Sequence, residues 1–540
     1  SDDRRTINCW KDLLSMITHN QVIRSDVKLH FYQHTFGLAI SAICLLFTLG
    51  CVQSARVTPH IPAPSAMVNT LAASTTAEFR LREDLTALFE TPQFDHTLWG
   101  IAVRSLDRGE DLYRINDKKR VMPASNMKAV TLAAIAEQLG WNYQFETQLL
   151  THAAIEDGTL LGDLIVRSNG DPSFNRLHGD PVEIFTSWAD ELKQLGVAII
   201  EGNIVGDDNA FDESTLGAGW AWDYLGYGYA APIGPLQLYQ NIVSLEILPG
   251  NTVGESITVK VSPHYSGLDI NILARTGAEN STNTLNLVRL PSRPVLEITG
   301  SIPLGSRPVT QTASVPNPTE FFVRNLRAVL NDNGITVRGE AIDIDTLVDE
   351  GNVQSPRQLL VHHSPPLTET GSVLMMVSQN LYAETFFRTL GSQEGKRTAD
   401  AGRNAVRAVM TAWGISPDSY QQYDGSGLSR YNYLTADMLI TLLTRMHDDP
   451  KHTDAFKATL PIAGLSGSLE RRMKGGFAEN NARAKTGSIS NVRALSGYVT
   501  TRDQELLAFS IIANHFHLPQ SVIDGVTDLA VERLASFTRH

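Results

Sequence analysis

The chain is 540 residues long, more than one ordinary hydrophobic core accommodates, so roughly two to four domains are expected. Its 42% hydrophobic and 19% charged residues are those of a folded protein and exclude a disordered one. A formal net charge of −13, with no basic run of five residues, argues against nucleic acid or an anionic membrane surface as the main partner.

From Phe36 to Gly50 runs an apolar stretch of fifteen residues, short for a membrane span and right for the hydrophobic region of an export signal. Lys28, His30 and His34 give it a weakly basic leader. Residues 1 to 26 are long and polar for that role, which fits an upstream start-site error, with Val27 as one candidate start. Phe47-Thr48-Leu49-Gly50-Cys51 resembles a bacterial lipobox, although Thr48 stands where leucine is preferred. Membrane attachment through a lipidated Cys51, ordinary cleavage after Ser54 and an uncleaved anchor remain the three readings; export is common to them. The segment 51–77 is rich in Pro, Ala, Ser and Thr and reads as a tether. Cys9, Cys44 and Cys51 all precede the globular part, so no disulfide framework or cysteine-based zinc site is expected in the folded body.

Glu78 to Thr91 has the pattern of a short amphipathic helix. Leu98 to Leu106 and Asp111 to Arg120 read as strands around the turn Asp107-Arg108-Gly109-Glu110. Ser125 then opens an alanine-rich helix that Gly140 closes. A first domain part is expected over 78–145. Between 146 and 350 the chain is mostly β material, with strands such as Phe145 to Leu150, Ala198 to Val205 and Ser256 to Val261. Two helices, Pro181 to Leu195 and Thr319 to Asn333, interrupt it. One or two inserted domains are expected there. Over 351–540 helical periodicity returns (Leu367 to Val377, Leu381 to Leu390, Arg403 to Trp413, Thr435 to His447). Three strands and a closing helix from Pro519 to Ser536 follow. The class is α+β.

Ser125 and Lys128 are three apart, so on a helix the amine lies one turn from the hydroxyl. A serine needs a partner to take its proton near pH 7, and a lysine of lowered pKa can do so. A Ser-x-x-Lys alone arises by chance about once or twice in such a length, and by itself reads as a surface helix start. Downstream lie Ser378-Gln379-Asn380 and Lys485-Thr486-Gly487. The last is expected only roughly 0.1 times by chance. Three segments in this order are the signature set of penicillin-binding proteins and serine β-lactamases.

The chemistry accounts for the residue types. Ser125 attacks a carbonyl and Lys128 accepts its proton. Ser378 relays the proton to the leaving amine. Asn380 holds Lys128 and the substrate backbone. Lys485 offers a positive charge to a terminal carboxylate, Thr486 adds a donor, and Gly487 lets the strand approach the substrate. The backbone N–H groups of Ser125 and Ser488 are the expected oxyanion hole.

Ser378 to Glu384, Asp424-Gly-Ser-Gly-Leu-Ser-Arg430, Leu460 to Gly464, Gly467-Ser-Leu469 and Ala484 to Ser488 are similar to the class C low-molecular-mass penicillin-binding proteins. These are D-alanyl-D-alanine carboxypeptidase/endopeptidases of the penicillin-binding-protein-4 type. The resemblance covers roughly Glu78 to the C-terminus, including about 250 residues between Ser125 and Ser378. Class A β-lactamases resemble it with a far shorter interval. It implies a penicillin-binding/serine β-lactamase-like transferase domain, an antiparallel sheet flanked by helices, split by a large insertion. It further implies cleavage of the terminal D-Ala–D-Ala bond of peptidoglycan peptide stems, often of D-Ala–diaminopimelate crosslinks, and covalent capture of β-lactams. No metal and no cofactor is implied. In such relatives an acidic residue and an aromatic of the insertion meet an arginine near the active site. Asp207, Phe211 and Arg430 are the expected matches here, against a reading of the first two as a turn aspartate and a core phenylalanine.

Gln379 stands where relatives often carry aspartate, and Ser490 where some carry glutamine. His362-His363 is a poor metal pair, because adjacent side chains diverge on a strand. Trp220 and Trp222 read as loop packing ahead of sugar stacking. Two alternatives to the peptidase are a β-lactamase, which needs a dedicated deacylating base, and a silent wall-peptide sensor.

Overall fold

The computed structural model describes residues 76–539, apart from 264, 292, 348–354 and 392–396. The export-signal run, Cys51 and nearly all of the tether lie outside the described residues. Among the described residues no helix is long and apolar enough to cross a membrane.

One antiparallel sheet organises the part that carries the motifs. Its strands run in the order Glu110–Ile115, Leu98–Ser105, Leu506–Asn514, Val492–Thr500, Arg483–Ile489. Period-two alternation sends neighbouring residues to opposite faces. Ile101, Val103, Leu495 and Val499 pack with Leu81 and Leu85 of helix Thr76–Phe89 and with Ile523 and Val531 of helix Gln520–Ala535. Ala102, Ala494, Tyr498 and Ile512 face the second cluster, around helix Met127–Leu139. With both faces covered, Leu506–Asn514 and Val492–Thr500 are almost continuously buried.

Helix Met127–Leu139 is buried from Met127 to Ala136, and its alanines let helices Asn380–Leu390 and Ala399–Ala412 pack closely on it. Gly140, at φ +81°, closes it with an N–H bond to Ala136 O. Ser125 does not begin this α-helix. It sits in a 3-10 turn, Ala124–Asn126, whose Ala124 lies at φ +46°. The second hairpin strand stops at Ile115, short of the expected Arg120, because Asn116 turns the chain at φ +46°.

The chain enters and leaves the insertion side by side: Glu146–Thr151 pairs antiparallel with Arg357–His363. Those strands complete a five-stranded mixed sheet with Leu164–Ser168, Ile204–Asp207 and Ala341–Asp343. Arg357–His363 thus belongs to the sheet of the insertion, beyond residue 350. Helices Pro181–Gln194 and Pro318–Asp332, capped by Asp180 and Asn317, cover an aromatic core of Phe174, Phe185, Trp188 and Phe322. The expected strand Ala198 to Val205 is two short ones, Ile199–Ile200 and Ile204–Asp207. Gly202 breaks it, where a Cβ would strike Asp163 and Gly162. Ile242–Leu248 lies between Thr258–Ser262 and Val309–Ser314 in a further sheet.

The insertion docks on the helix that begins at Asn380. Asn175 Nδ2 donates to Tyr382 OH at 2.8 Å, Gln237 Nε2 to Thr385 Oγ1 at 2.6 Å, and Arg388 Nη2 to Ser214 O at 2.9 Å.

Candidate active site

The turn Ala124–Asn126 is held by three neighbours. Asn126 Nδ2 donates to Lys485 O at 3.1 Å. A Cβ at Gly487 would come within 2.7 Å of Pro123 O, and one at Gly427 would overlap Ala124 O. The approach of its strand to the serine turn is therefore by itself enough to demand glycine at 487.

Lys128 is fully buried. Its Nζ lies 3.0 Å from Ser125 Oγ, 2.6 Å from Asn380 Oδ1 and 2.8 Å from Ser426 O. Burial disfavours the ammonium and lowers its pKa to about 7, against the opposing pull of Asp424 and Glu384. An amine near neutrality beside a serine hydroxyl is a competent proton acceptor. Across the cleft Lys485 Nζ donates to Ser378 Oγ and to Thr486 O, both at 2.8 Å. Its pKa is also well below the usual lysine value, by burial and then by the Lys128 charge. Ser378 occupies the left-handed region at φ +58°, a disfavoured conformation for a serine. The structure thus gathers the five around one cleft as two hydrogen-bonded groups, Ser125, Lys128 and Asn380 on one side and Ser378 and Lys485 on the other.

Two buried carboxylates near Lys128, Glu384 and Asp424, lie in the segments named from the sequence but had no role assigned there. Glu384 lies one turn beyond Asn380 and accepts from Gly425 N at 3.2 Å and Ser426 N at 2.9 Å. It orients the loop whose Ser426 carbonyl faces Lys128. Burial, and then the nearby Asp424, push the Glu384 carboxyl well above the usual carboxylate range. Asp424 accepts from Gly427 N, Ser429 N, Asn432 Nδ2 and Trp220 Nε1 at 2.6–2.9 Å. The available signal was an ionisable side chain four residues after Asn380 and four before Arg388, among Leu381, Tyr382, Ala383, Phe386 and Phe387.

A cavity of about 640 Å³ opens over Ser125. Ser125, Ser378, Asn380, Thr486 and Ser488 line one side, and Tyr224, Tyr229, Ile242 and Thr312 of the insertion face them. Arg430 stands beside it and donates to Tyr224 OH at 3.0 Å and to Ser490 O at 3.3 Å. Asn380 Nδ2 donates to Tyr229 O at 2.7 Å.

Asp207 and Phe211 do not line this cavity. Asp207 ends a central strand, where its carboxylate pairs with Arg167 of the adjoining strand at 2.6 Å. Phe211 is buried among Ile233 and Leu381 and presses on Gly170. The aromatic beside Arg430 is instead Tyr224, whose ring meets Tyr229 edge-on at 5.6 Å, with Asp223 next to Tyr224 in the chain. Burial raises the Tyr229 phenol, and Tyr224, Tyr227 and Asp223 add to the shift. Sequence reasoning passed over this stretch because an exposed aromatic loop has no apolar period. Trp220 is engaged with Asp424, while Trp222 is 60% exposed. His362 and His363 approach different carboxylates, Asp171 and Glu146, each at 3.8 Å. Among the described residues, Asp208, Asp343 and Asp345 have metal-ligand spacing, their oxygens within 4.8 Å of one another. None of them lines the cavity.

A serine hydroxyl, a buried amine and a second lysine–serine pair around one cleft define the site of a serine acyl-enzyme hydrolase in the penicillin-binding fold. A profile of the D-Ala-D-Ala carboxypeptidase 3 (S13) family matches residues 81–532, and the chain belongs to that family of serine peptidases. It is 32% identical over 472 residues to a D-alanyl-D-alanine carboxypeptidase of Actinomadura sp. (strain R39), covering 85% of each chain. It is 28% identical to a penicillin-sensitive carboxypeptidase A of Dictyostelium discoideum, over 82% of this chain and 88% of that one. In fold it is similar to penicillin binding protein 4 of Haemophilus influenzae, with a TM-score of 0.74. That match has 24% identity and covers 84% of this chain and 99% of the other.

Proposed function

We propose that the protein is a serine DD-peptidase of peptidoglycan that hydrolyses the terminal D-Ala–D-Ala bond through an acyl-enzyme on Ser125. It also cleaves D-Ala–diaminopimelate crosslinks and is acylated by β-lactams. The observation that carries this reading is the Lys128 amine, buried and lowered to about 7, at 3.0 Å from Ser125 Oγ. Neutral Lys128 takes the Ser125 proton as Oγ attacks the carbonyl. The C–N bond then breaks, and the proton reaches the leaving amine through Ser378, which Lys485 holds. Water hydrolyses the ester and releases Ser125. Thr486 and Lys485 hold the terminal carboxylate. The N–H groups of Ser125 and Ser488 receive the oxyanion. Arg430, Tyr224 and Tyr229 meet the diaminopimelate side chain of the peptide stem.

Intact-mass spectrometry after incubation with benzylpenicillin tests this, paired with release of D-Ala from D-Ala–D-Ala muropeptides. A persistent one-to-one adduct on the Ser125 peptide is expected. Unmodified protein with hydrolysed antibiotic would mean a β-lactamase, and unmodified protein with intact antibiotic a silent binder. The run Phe36 to Gly50 supports export to the periplasm, and the Gly50-Cys51 pair supports lipid attachment. The mass of the mature N-terminal peptide distinguishes a lipidated Cys51 from cleavage after Ser54.

A further inference from the structure

The cavity over Ser125 does not end at the tyrosines. A second cavity of about 170 Å³ on the insertion shares Gln240, Ile242 and Thr312 with it and continues to Asn175, Arg176 and Tyr239. The two form one groove, running from the nucleophile across the insertion to a guanidinium. The added volume is room for roughly six water-sized groups, the scale of one side arm.

The junction is built under strain. Tyr239, Gln240 and Asn241 lie consecutively in the left-handed region, at φ +48°, +62° and +55°, and none is glycine. Such a run persists only where its surroundings over-determine it. Here Tyr239 N donates to Phe174 O at 2.8 Å and Tyr239 OH to Asp180 Oδ1 at 2.9 Å. Asn241 Nδ2 donates to Pro232 O at 2.9 Å, and Val315 N to Asn241 O at 3.0 Å. All of these ties belong to the flanking residues. The side chain of Gln240, the residue they present to the groove, makes no hydrogen bond to a described residue, and neither does the Thr312 hydroxyl beside it. Arg176 lies over the Tyr239 ring at 5.4 Å, is 3.9 Å from Asp180, and has a side chain 72% exposed. Its charge is accessible at the far end, and Asp180 is shared, with Oδ1 accepting from the tyrosine hydroxyl and Oδ2 at 3.9 Å from Arg176.

We propose that this groove is a second recognition subsite for a carboxylate-bearing arm of a branched peptide substrate. Arg176 takes the carboxylate, and Gln240 and Thr312 take the intervening peptide amide. The subsite rests on the peptidase reading above and extends it from the scissile bond to the distal arm. A short linear peptide ends before Arg176, whereas a crosslinked one reaches it.

The test compares a short tripeptide ending in D-Ala–D-Ala with a crosslinked muropeptide dimer, measuring KM and kcat separately for the full protein. Arg176→Ala is expected to raise KM for the dimer about tenfold more than KM for the tripeptide, and Arg176→Lys to recover part of the loss. Gln240→Gly is the second variant, because glycine adopts φ +62° without strain. It is expected to hold or raise the melting temperature while raising KM for the dimer selectively. Equal losses on both substrates, or no change in the ratio of their KM values, would overturn the subsite. Wild-type protein that cleaves neither substrate and forms no penicillin adduct would overturn the peptidase reading, and the subsite with it.

Discussion

Beneath the cavity, Lys128, Lys485, Glu384 and Asp424 are all at most 1% exposed and tied by bonds of 2.6–3.2 Å. Across the cavity the insertion presents Tyr229, 45% exposed, beside Tyr224, Gln240 and Thr312. The floor puts ionisable groups where water cannot screen them, so a small displacement changes which atom holds a proton. The wall puts aromatic and polar groups in solvent, where they add contact area and selectivity but shift no proton on the nucleophile. Rate should therefore be lost at the floor and substrate affinity at the wall.

The largest expected effect is at the nucleophile. Ser125→Ala should reduce cleavage by about 10⁴-fold or more and abolish the penicillin adduct, with thermal unfolding within about 0.5 kcal/mol of wild type. Lys128→Met should cost about 10³-fold in acylation. In wild type the acylation rate should fall about tenfold per unit as pH drops below about 7. The sign follows from the lowered Lys128 pKa: the accepting form is the neutral amine, and protonation removes it. A stopped-flow pH profile with a chromogenic cephalosporin reads this, and an acid limb far from pH 7 would detach Lys128 from proton transfer.

Gly427→Ala would force a methyl into Ala124 O from a left-handed backbone. Equilibrium urea unfolding should show a loss of about 2 kcal/mol, with slower acylation. At the wall, Arg430→Ala should raise KM for diaminopimelate-containing peptides about tenfold, roughly 1.4 kcal/mol, and change kcat little. Asp207→Asn should have the smallest effect. It should cost about 1 kcal/mol in stability from the weakened Arg167 pair and leave KM unmoved. A raised KM in that variant would return Asp207 to the substrate site.

Ser125, Lys128, Ser378, Asn380 and Lys485 were legible because each lies in a short segment with its chemistry in the side chain. Glu384 stood in a quoted stretch without a role, since only its burial under the loop at Gly425 makes it matter. Asp207 and Phe211 misled for the converse reason. An aspartate near a phenylalanine in a Gly-rich stretch fits many settings, and the register Arg167 with Asp207 is a pairing no local pattern reveals.

The sequence by itself determined the helices with one buried face, the close of helix Met127–Leu139 at Gly140, the alternating strands and the three motifs. All of these follow from local sterics and the periods of the backbone. The tertiary structure decided the 3-10 turn under Ser125, the lowered pKa of Lys128, the carboxylates beneath it and the tyrosine wall. Desolvation and Coulomb energy depend on which distant groups surround an atom, and those neighbours come from chain segments hundreds of residues apart.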